Sequence, residues 1–260
     1  MKTSEDRILT THTGSLPRPK PLVDLILARE QGRAVEAARF EAETAKAVDE
    51  VIARQIAAGI DVVSDGEMSK PSYTTYIRHR VAGIAPDPRA AEKGHDIMIG
   101  RDLLAHPDFA DRRRNFADLP FPGCVGPLRY QDRSALDRDL THLKTAANKA
   151  KPVDAFMTAP SPGILTRFII NLKTIDIPDD KILIPGVIDS TTNFVEHPRL
   201  VAQRIGRYAE LIDRERLIAG VDCGFGTSVR HDPMVADSIV WAKLRALSDG
   251  AAIASKRLWG

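Results

Sequence analysis

The sequence predicts an α/β chain of the (β/α)8, or TIM-barrel, type. Three observations carry that expectation. The chain has 260 residues, close to the roughly 250 that such a barrel needs. Apolar runs that end in polar or glycine-rich tips recur along it. Amphipathic helical stripes lie between them, the α-to-β rhythm of a parallel sheet. The clearest run is LIAGVDCGFGT at 217–227. Its apolar part reads as a buried strand, and Gly224 and Gly226 mark where the strand stops. Cys223 thus stands at the C-terminal tip of an inner strand, the face that carries chemistry in α/β barrels. A thiolate there is a soft metal ligand or a nucleophile.

The elements follow in order. RILTTH at 7–12 reads as a strand ending in the turn TGSLPRP, where Pro17 and Pro19 prevent sheet or helix from continuing. Residues 21–31 read as helix. So do 40–58, with Val48, Val51, Ile52 and Ile56 on one stripe and Gly59 as the stop. IDVVSDGE at 60–67 is a strand with an acidic tip. The stretch 68–131 is an irregular insert, in which HDIMIG (95–100) and CVGPLRY (124–130) suggest an antiparallel pair. A helix over 134–150 leads into DAFMTAP at 154–160, another strand, and 163–171 begins a helix that does not finish. KILIPGVIDS at 181–190 is a further strand with an acidic tip. Pro198 suits a first helical position, and Leu200, Val201, Ile205, Tyr208 and Ile212 form its stripe. Asp232 and Pro233 suggest the start of a last helix lined by Val235, Ile239 and Leu247. Five inner strands result, at 7–12, 60–64, 154–158, 182–188 and 217–222, within a single domain spanning 1–260. A closed barrel of this class has eight.

A net charge of +2 argues against nucleic acid as a partner. No apolar run approaches the ~18 residues of a membrane span. Cys124 and Cys223 form no disulfide framework, so a reducing cytoplasm is the expected setting. Nucleotide-binding glycine loops, the serine-hydrolase elbow and local zinc signatures are absent.

Four strand tips offer chemistry: His12 with Ser15, Asp65 with Glu67, Asp189, and Asp222 with Cys223. Each has a plainer reading. Ser15 shapes a turn, and Asp65 and Glu67 cap a helix or pair with an arginine. Asp189 caps the 190s turn, His12 is a satisfied half-buried histidine, and Cys223 is a small hydrophobe. Shared placement at strand tips favours function for the group.

TTHTGSLPRP (10–19), GIDVVSDGEMSK (59–70), IPGVIDSTTNFVEHP (184–198) and IAGVDCGFGT (218–227), in this order, resemble the cobalamin-independent methionine synthase family. The likeness is to the short proteins built like its C-terminal catalytic barrel, over about 7–171 and 172–255. It implies a (β/α)8 barrel with a catalytic zinc that binds a thiol such as homocysteine. The thiolate then takes a methyl group from a methyltetrahydrofolate-type donor. Carried over, Cys223 matches a zinc ligand; adjacency of the first and eighth strands in a barrel would let His12, with Glu67, share a depleted metal site with it. Ser15 and Glu67 match substrate-binding residues, and Asp189 matches the acidic tip of the seventh strand, a catalytic position. The resemblance also implies departures. Asp189 is followed by Ser190 and Thr191, where the family carries its histidine. The H-x-C pair and the glutamate that complete the zinc site have no counterpart. Strands four to six are missing together at a junction near 171–172. The chain therefore reads as an internally deleted member whose open sheet edges invite self-association. Two alternatives stand beside methyl transfer: a catalytically dead remnant serving in binding or assembly, and a thiol alkyltransferase of the epoxyalkane–coenzyme M type. A metal-free barrel enzyme using Glu67 and Asp189 as acid and base ranks behind them.

Overall fold

The computed structural model describes residues 2–72, 75–86, 122–160, 182–210, 212–226 and 235–260. Two compact units emerge. The first comprises 1–73, 137–158 and 177–260, and the second 74–136 with 159–176.

The first unit holds the parallel strands. β1 (Leu9–Thr10) is followed by α1 (Lys20–Glu30) and α2 (Ala37–Ala57), then β2 (Val62–Val63). In the second unit a 3-10 turn at Thr75–His79 leads to β3 (Val81–Pro86), and β4 (Pro122–Tyr130) comes next in the described chain. Helix α3 (Ser134–Ala150), which enters the first unit at Asp137, leads to β5 (Asp154–Ala155). After β6 (Gly186–Ile188) come α4 (Pro198–Ala209), a 3-10 turn at Arg214–Arg216, β7 (Ile218–Val221) and α5 (Asp237–Trp259).

β1, β7 and β6 pair in parallel in the order β1-β7-β6, and β2 pairs in parallel with β5. A parallel bridge from Thr11 to Val62 joins the two sets. The spatial order is therefore β5-β2-β1-β7-β6, and each of the five strands read from the sequence is present. The described strands form an arc, not a closed ring. The junction near 171–172 and the unfinished helix at 163–171 lie outside the described residues.

Alternation of side chains across the arc divides its core. Leu9, Val62 and Ile218 point to one face and pack together, with Phe156, Ile182 and Ile184 against them. Ile8, Val63, Leu217 and Ala219 belong to the larger cluster shared with the helices. There α2 contributes Phe40, Val48, Val51 and Ile52, and α5 contributes Val240, Leu244 and Leu247. Helices α4 and α5 meet at Gly250, where a Cβ would stand 2.5 Å from that of Val201. Larger residues at 250 would push the pair apart.

One expectation is revised, and one pairing lies partly outside the described residues. β4 covers the expected 124–130 strand, but its described partner is β3, with a register shift between Ala82 and Ile84. Gly83 makes that shift possible. It has φ +86, and a Cβ there would meet the Pro127 carbonyl oxygen at 2.5 Å. The 95–100 segment lies outside the described residues. The last helix begins at Asp237, not near Asp232, because Ala236 is still extended. Asp232 and Pro233 are outside the described residues, and Val235 is buried ahead of the helix.

Candidate functional site

The site is built where the tips of β1, β2, β5 and β7 meet. Past β1, the chain turns at Gly14, whose φ of +95 suits glycine. A Cβ at Gly14 would stand 3.0 Å from the Gly224 nitrogen, so the two tips touch through backbone. A Cβ at Gly224 would lie 2.4 Å from the Ser15 nitrogen. The Gly226 N–H donates to the Ser15 carbonyl (3.1 Å), and the Leu16 N–H donates to the Gly66 carbonyl (3.0 Å). Arg18 completes the fastening. Its Nη1 donates to the Gly226 carbonyl (2.8 Å) and its Nη2 to the Glu67 carbonyl (2.9 Å). Burial lowers the Arg18 pKa to about 10, against the fields of Glu67 and Asp65, which still leaves it charged at neutral pH.

Glu67 is the centre of this assembly. It follows Gly66 in the left-handed region, with φ 56, an uncommon conformation for a side-chain-bearing residue. Its N–H donates to Asp65 Oδ1 (3.0 Å), which holds the turn. Ser15 Oγ donates to Glu67 Oε2, and Thr158 Oγ1 donates to Oε1 at 3.0 Å. Glu67 is 3% exposed, and among the described residues no cationic side chain forms an ion pair with it. Two hydroxyl donors leave lone pairs open on each carboxylate oxygen.

Beside it, Lys70 is buried, with Nζ 3.1 Å from the Thr158 carbonyl oxygen and 3.9 Å from Asp65 Oδ2. Burial pushes the Asp65 carboxyl above the usual range, against the pull of Lys70.

His12 follows β1 by two residues and is fully buried. Its ring stacks on Phe225 at 5.6 Å and 15°. Neither ring nitrogen has a hydrogen-bond partner. Burial lowers its pKa to about 4, although the backbone at Ser15, the charge of Glu67 and the backbone at Gly14 work the other way. The unfolded chain, at about 6.5, therefore binds more protons than the folded one between those values. His12 thus adds stability that is full above pH 6.5 and lost as pH falls towards 4. In urea titrations the wild-type midpoint should drop across that window, and the His12→Phe midpoint should drop less. Equal slopes for the two would contradict this.

Cys223 lies exposed at the adjoining β7 tip. The surrounding turn withholds enough water to push its thiol above the ordinary value, and the charges of Asp222 and Glu67 add to that. It therefore carries its proton at neutral pH. Among the described residues no group of three or more His, Cys, Asp or Glu side chains is placed to hold a metal ion. A catalytic zinc takes about three protein ligands, so the described donors do not fit one. Zinc content per chain, measured by emission spectrometry, should be the same for wild type and Cys223→Ser. A zinc ion lost with that substitution would show a Cys223 site.

Asp189 stands apart. Partial burial alone would raise its carboxyl, but hydroxyls of Thr192 and Thr191 and the Thr191 N–H hold it below the usual range. Its Oδ1 accepts from the Thr191 N–H and Oγ1, each at 2.8 Å, and Oδ2 from Thr192 Oγ1 at 2.5 Å. This is the turn-capping role the sequence left open. Asp222 Oδ1 accepts from the Ser190 N–H at 2.9 Å and likewise fixes a tip. The Asp189 N–H itself donates to Glu196 Oε1 (2.8 Å), and the other oxygen of Glu196 pairs with Lys243 Nζ at 2.9 Å.

Ser15 and Glu67 are thus in direct contact, His12 and Cys223 flank them, and Asp189 is engaged elsewhere. Sequence reading missed Arg18, Lys70, Thr158, Phe225 and the Glu196–Lys243 pair. Arg18 and Lys70 sit inside the quoted motifs, and Thr158 ends a strand read as such. Lys243 lies between Val240 and Leu247 on a buried helix stripe, an anomaly visible in the sequence.

No family model matches the chain, and no curated protein is significantly similar to it. Among solved structures, it is similar to a B12-independent methionine synthase from a Shewanella species in complex with selenomethionine. The TM-score is 0.66 at 15% identity, over 97% of this chain and 99% of that one. A candidate vitamin-B12-independent methionine synthase from Listeria monocytogenes matches with a TM-score of 0.44 at 14% identity, over 97% of this chain and 99% of that one. Among the described residues, no helix is long and apolar enough to cross a membrane. The likeness to the Shewanella protein shows a shared α/β fold.

Proposed function

We propose that the chain binds a small sulfur-bearing amino acid at the Ser15–Glu67 cluster, and that its reaction class is methyl transfer at that sulfur. One observation carries this reading: a buried carboxylate held by two hydroxyl donors, with no cationic side chain paired to its oxygens among the described residues. Leaving a charge buried and unpaired is costly. A ligand ammonium supplies the missing partner, and the open lone pairs of Glu67 receive it. The selenomethionine in the Shewanella structure supports an amino acid of this kind.

Within this reading, Ser15 and Thr158 orient the carboxylate, and Arg18 fixes its backbone. Cys223 closes the rim. A methyltetrahydrofolate-type donor would give the methyl group: as the carbon–sulfur bond forms, the methyl–nitrogen bond of the donor breaks and the thiol proton passes to that nitrogen. Nothing among the described residues is placed to stabilise that thiolate, and Asp189 is tied into its own turn. This favours a second reading, in which the chain binds the amino acid and turns over slowly or not at all. An internal deletion at 171–172 and a cytoplasmic setting belong to the same reading and rest on the sequence. Calorimetric titration tests it. L-methionine or L-homocysteine should bind, and 3-(methylthio)propionate, which lacks the ammonium, should bind far more weakly. Equal affinity with and without the amino group would refute the role given to Glu67.

A further inference from the structure

Among the described residues two lysines are buried, and they are held differently. Lys243 meets Glu196 at 2.9 Å, a close ion pair. Lys70 stands 3.9 Å from Asp65 Oδ2, and its Nζ donates instead to the Thr158 carbonyl at 3.1 Å. Burying an ammonium is costly, and a neutral carbonyl repays less of that cost than a carboxylate in contact. The placing of Lys70 therefore favours Thr158 over the acid. Thr158 needs such a hold. β5 pairs with β2 at Asp154 and Ala155, and the Phe156 N–H donates to the Val63 carbonyl at 3.0 Å. Past Phe156, no backbone hydrogen bond joins the β5 tip to β2 among the described residues. Side chains take over. Lys70 is fixed to the β2 turn through its own N–H, which donates to the Glu67 carbonyl at 3.1 Å. Its ammonium then holds the Thr158 carbonyl, and Thr158 Oγ1 donates back to Glu67 Oε1 at 3.0 Å. Glu67, Lys70 and Thr158 thus close a ring of hydrogen bonds across two strand tips.

We propose that Lys70 is a positioning residue for the binding carboxylate: its ammonium fixes Thr158, and the Thr158 hydroxyl fixes Glu67 with its open lone pairs towards the ligand ammonium. This role rests on the amino-acid reading of Glu67 and names what keeps that carboxylate in place. Lys70 touches no ligand. It acts through Thr158, as the outer support that a precise binding group requires.

The test is a double-mutant cycle on Lys70→Met and Thr158→Val. Calorimetry gives the affinity of each protein for L-methionine and for 3-(methylthio)propionate, and the readout is the ratio of the two. Thermal melts accompany each titration. General loss of packing weakens both compounds alike and spares the ratio, whereas a misplaced carboxylate lowers it. Each single variant should lower the ratio roughly tenfold. The double variant should be no worse than either, because both substitutions break the same path. An unchanged ratio in either single variant overturns the role, and so do losses that multiply in the double variant. Should Lys70→Met not fold, Lys70→Met with Asp65→Asn replaces it in the cycle, with Asp65→Asn as its reference, because no stranded acid then remains. A chain that folds in neither form also overturns the role, since the lysine would then be needed for structure. Equal affinities of the wild type for the two compounds would refute the reading of Glu67 itself, and this role with it.

Discussion

Replacing Glu67 by glutamine should remove most of the affinity for L-methionine while leaving the fold intact. Among the described residues the carboxylate is held by hydroxyls alone, Ser15 on one oxygen and Thr158 on the other. Losing one partner of a desolvated, hydrogen-bonded charge pair costs about 2–5 kcal/mol. That corresponds to roughly 30-fold to several thousand-fold in affinity. Glutamine is nearly isosteric, and its amide can still bond both hydroxyls. The fold loses a buried charge that no cationic side chain pairs among the described residues, so the variant should melt near or above the wild-type temperature. Loss of binding with a preserved melt places the charge in recognition. Unchanged binding, or a collapse of the melt, would assign Glu67 to structure instead.

The largest stability loss should come from a different charge. Lys243 and Glu196 are both buried and meet at 2.9 Å, and Glu196 also receives the Asp189 N–H. Lys243→Met leaves Glu196 only the partly exposed Arg204, whose Nη1 is 4.0 Å from Oε1, at a cost that approaches roughly 3 kcal/mol. Chemical denaturation should show that loss as a lower midpoint with an unchanged slope. The double variant Lys243→Met with Glu196→Gln should recover most of it, since the stranded charge has gone. A double variant as unstable as the single one would mean that geometry, and not charge, dominates there. Because Glu196 anchors the turn that Asp189 caps, the single variant should also loosen the β6 tip.

The arc of strands was legible because strand and tip are written locally. An apolar run followed by Asp, Glu or Gly identifies both the buried segment and its end, and the parallel order follows from the helices between. The tip residues were legible as candidates for the same reason, Ser15 and Glu67 above all. Their partners were not, because a contact such as Thr158 with Glu67 joins residues far apart in the chain. The composition of 124–130 marks β4 as a strand, whereas its pairing with β3 joins residues far apart in the chain and turns on a register shift at Gly83. Asp189 illustrates the opposite difficulty. The string Asp189-Ser190-Thr191-Thr192 reads equally well as a catalytic tip or as a capped turn, and only the hydroxyl positions separate them. The start of α5 was misread because the Asp-Pro pair at 232–233 is a good local signal, whereas the helix begins where Ala236 leaves its extended conformation.

The most direct measurement is a crystal structure of the protein grown with L-selenomethionine, with the selenium located by its anomalous scattering. The account predicts a selenium peak at the tips of β1, β2 and β7, with the ligand ammonium within hydrogen-bond distance of Glu67. A peak elsewhere on the chain would contradict it. So would clear density at Glu67 showing only Ser15 and Thr158 as partners at saturating ligand.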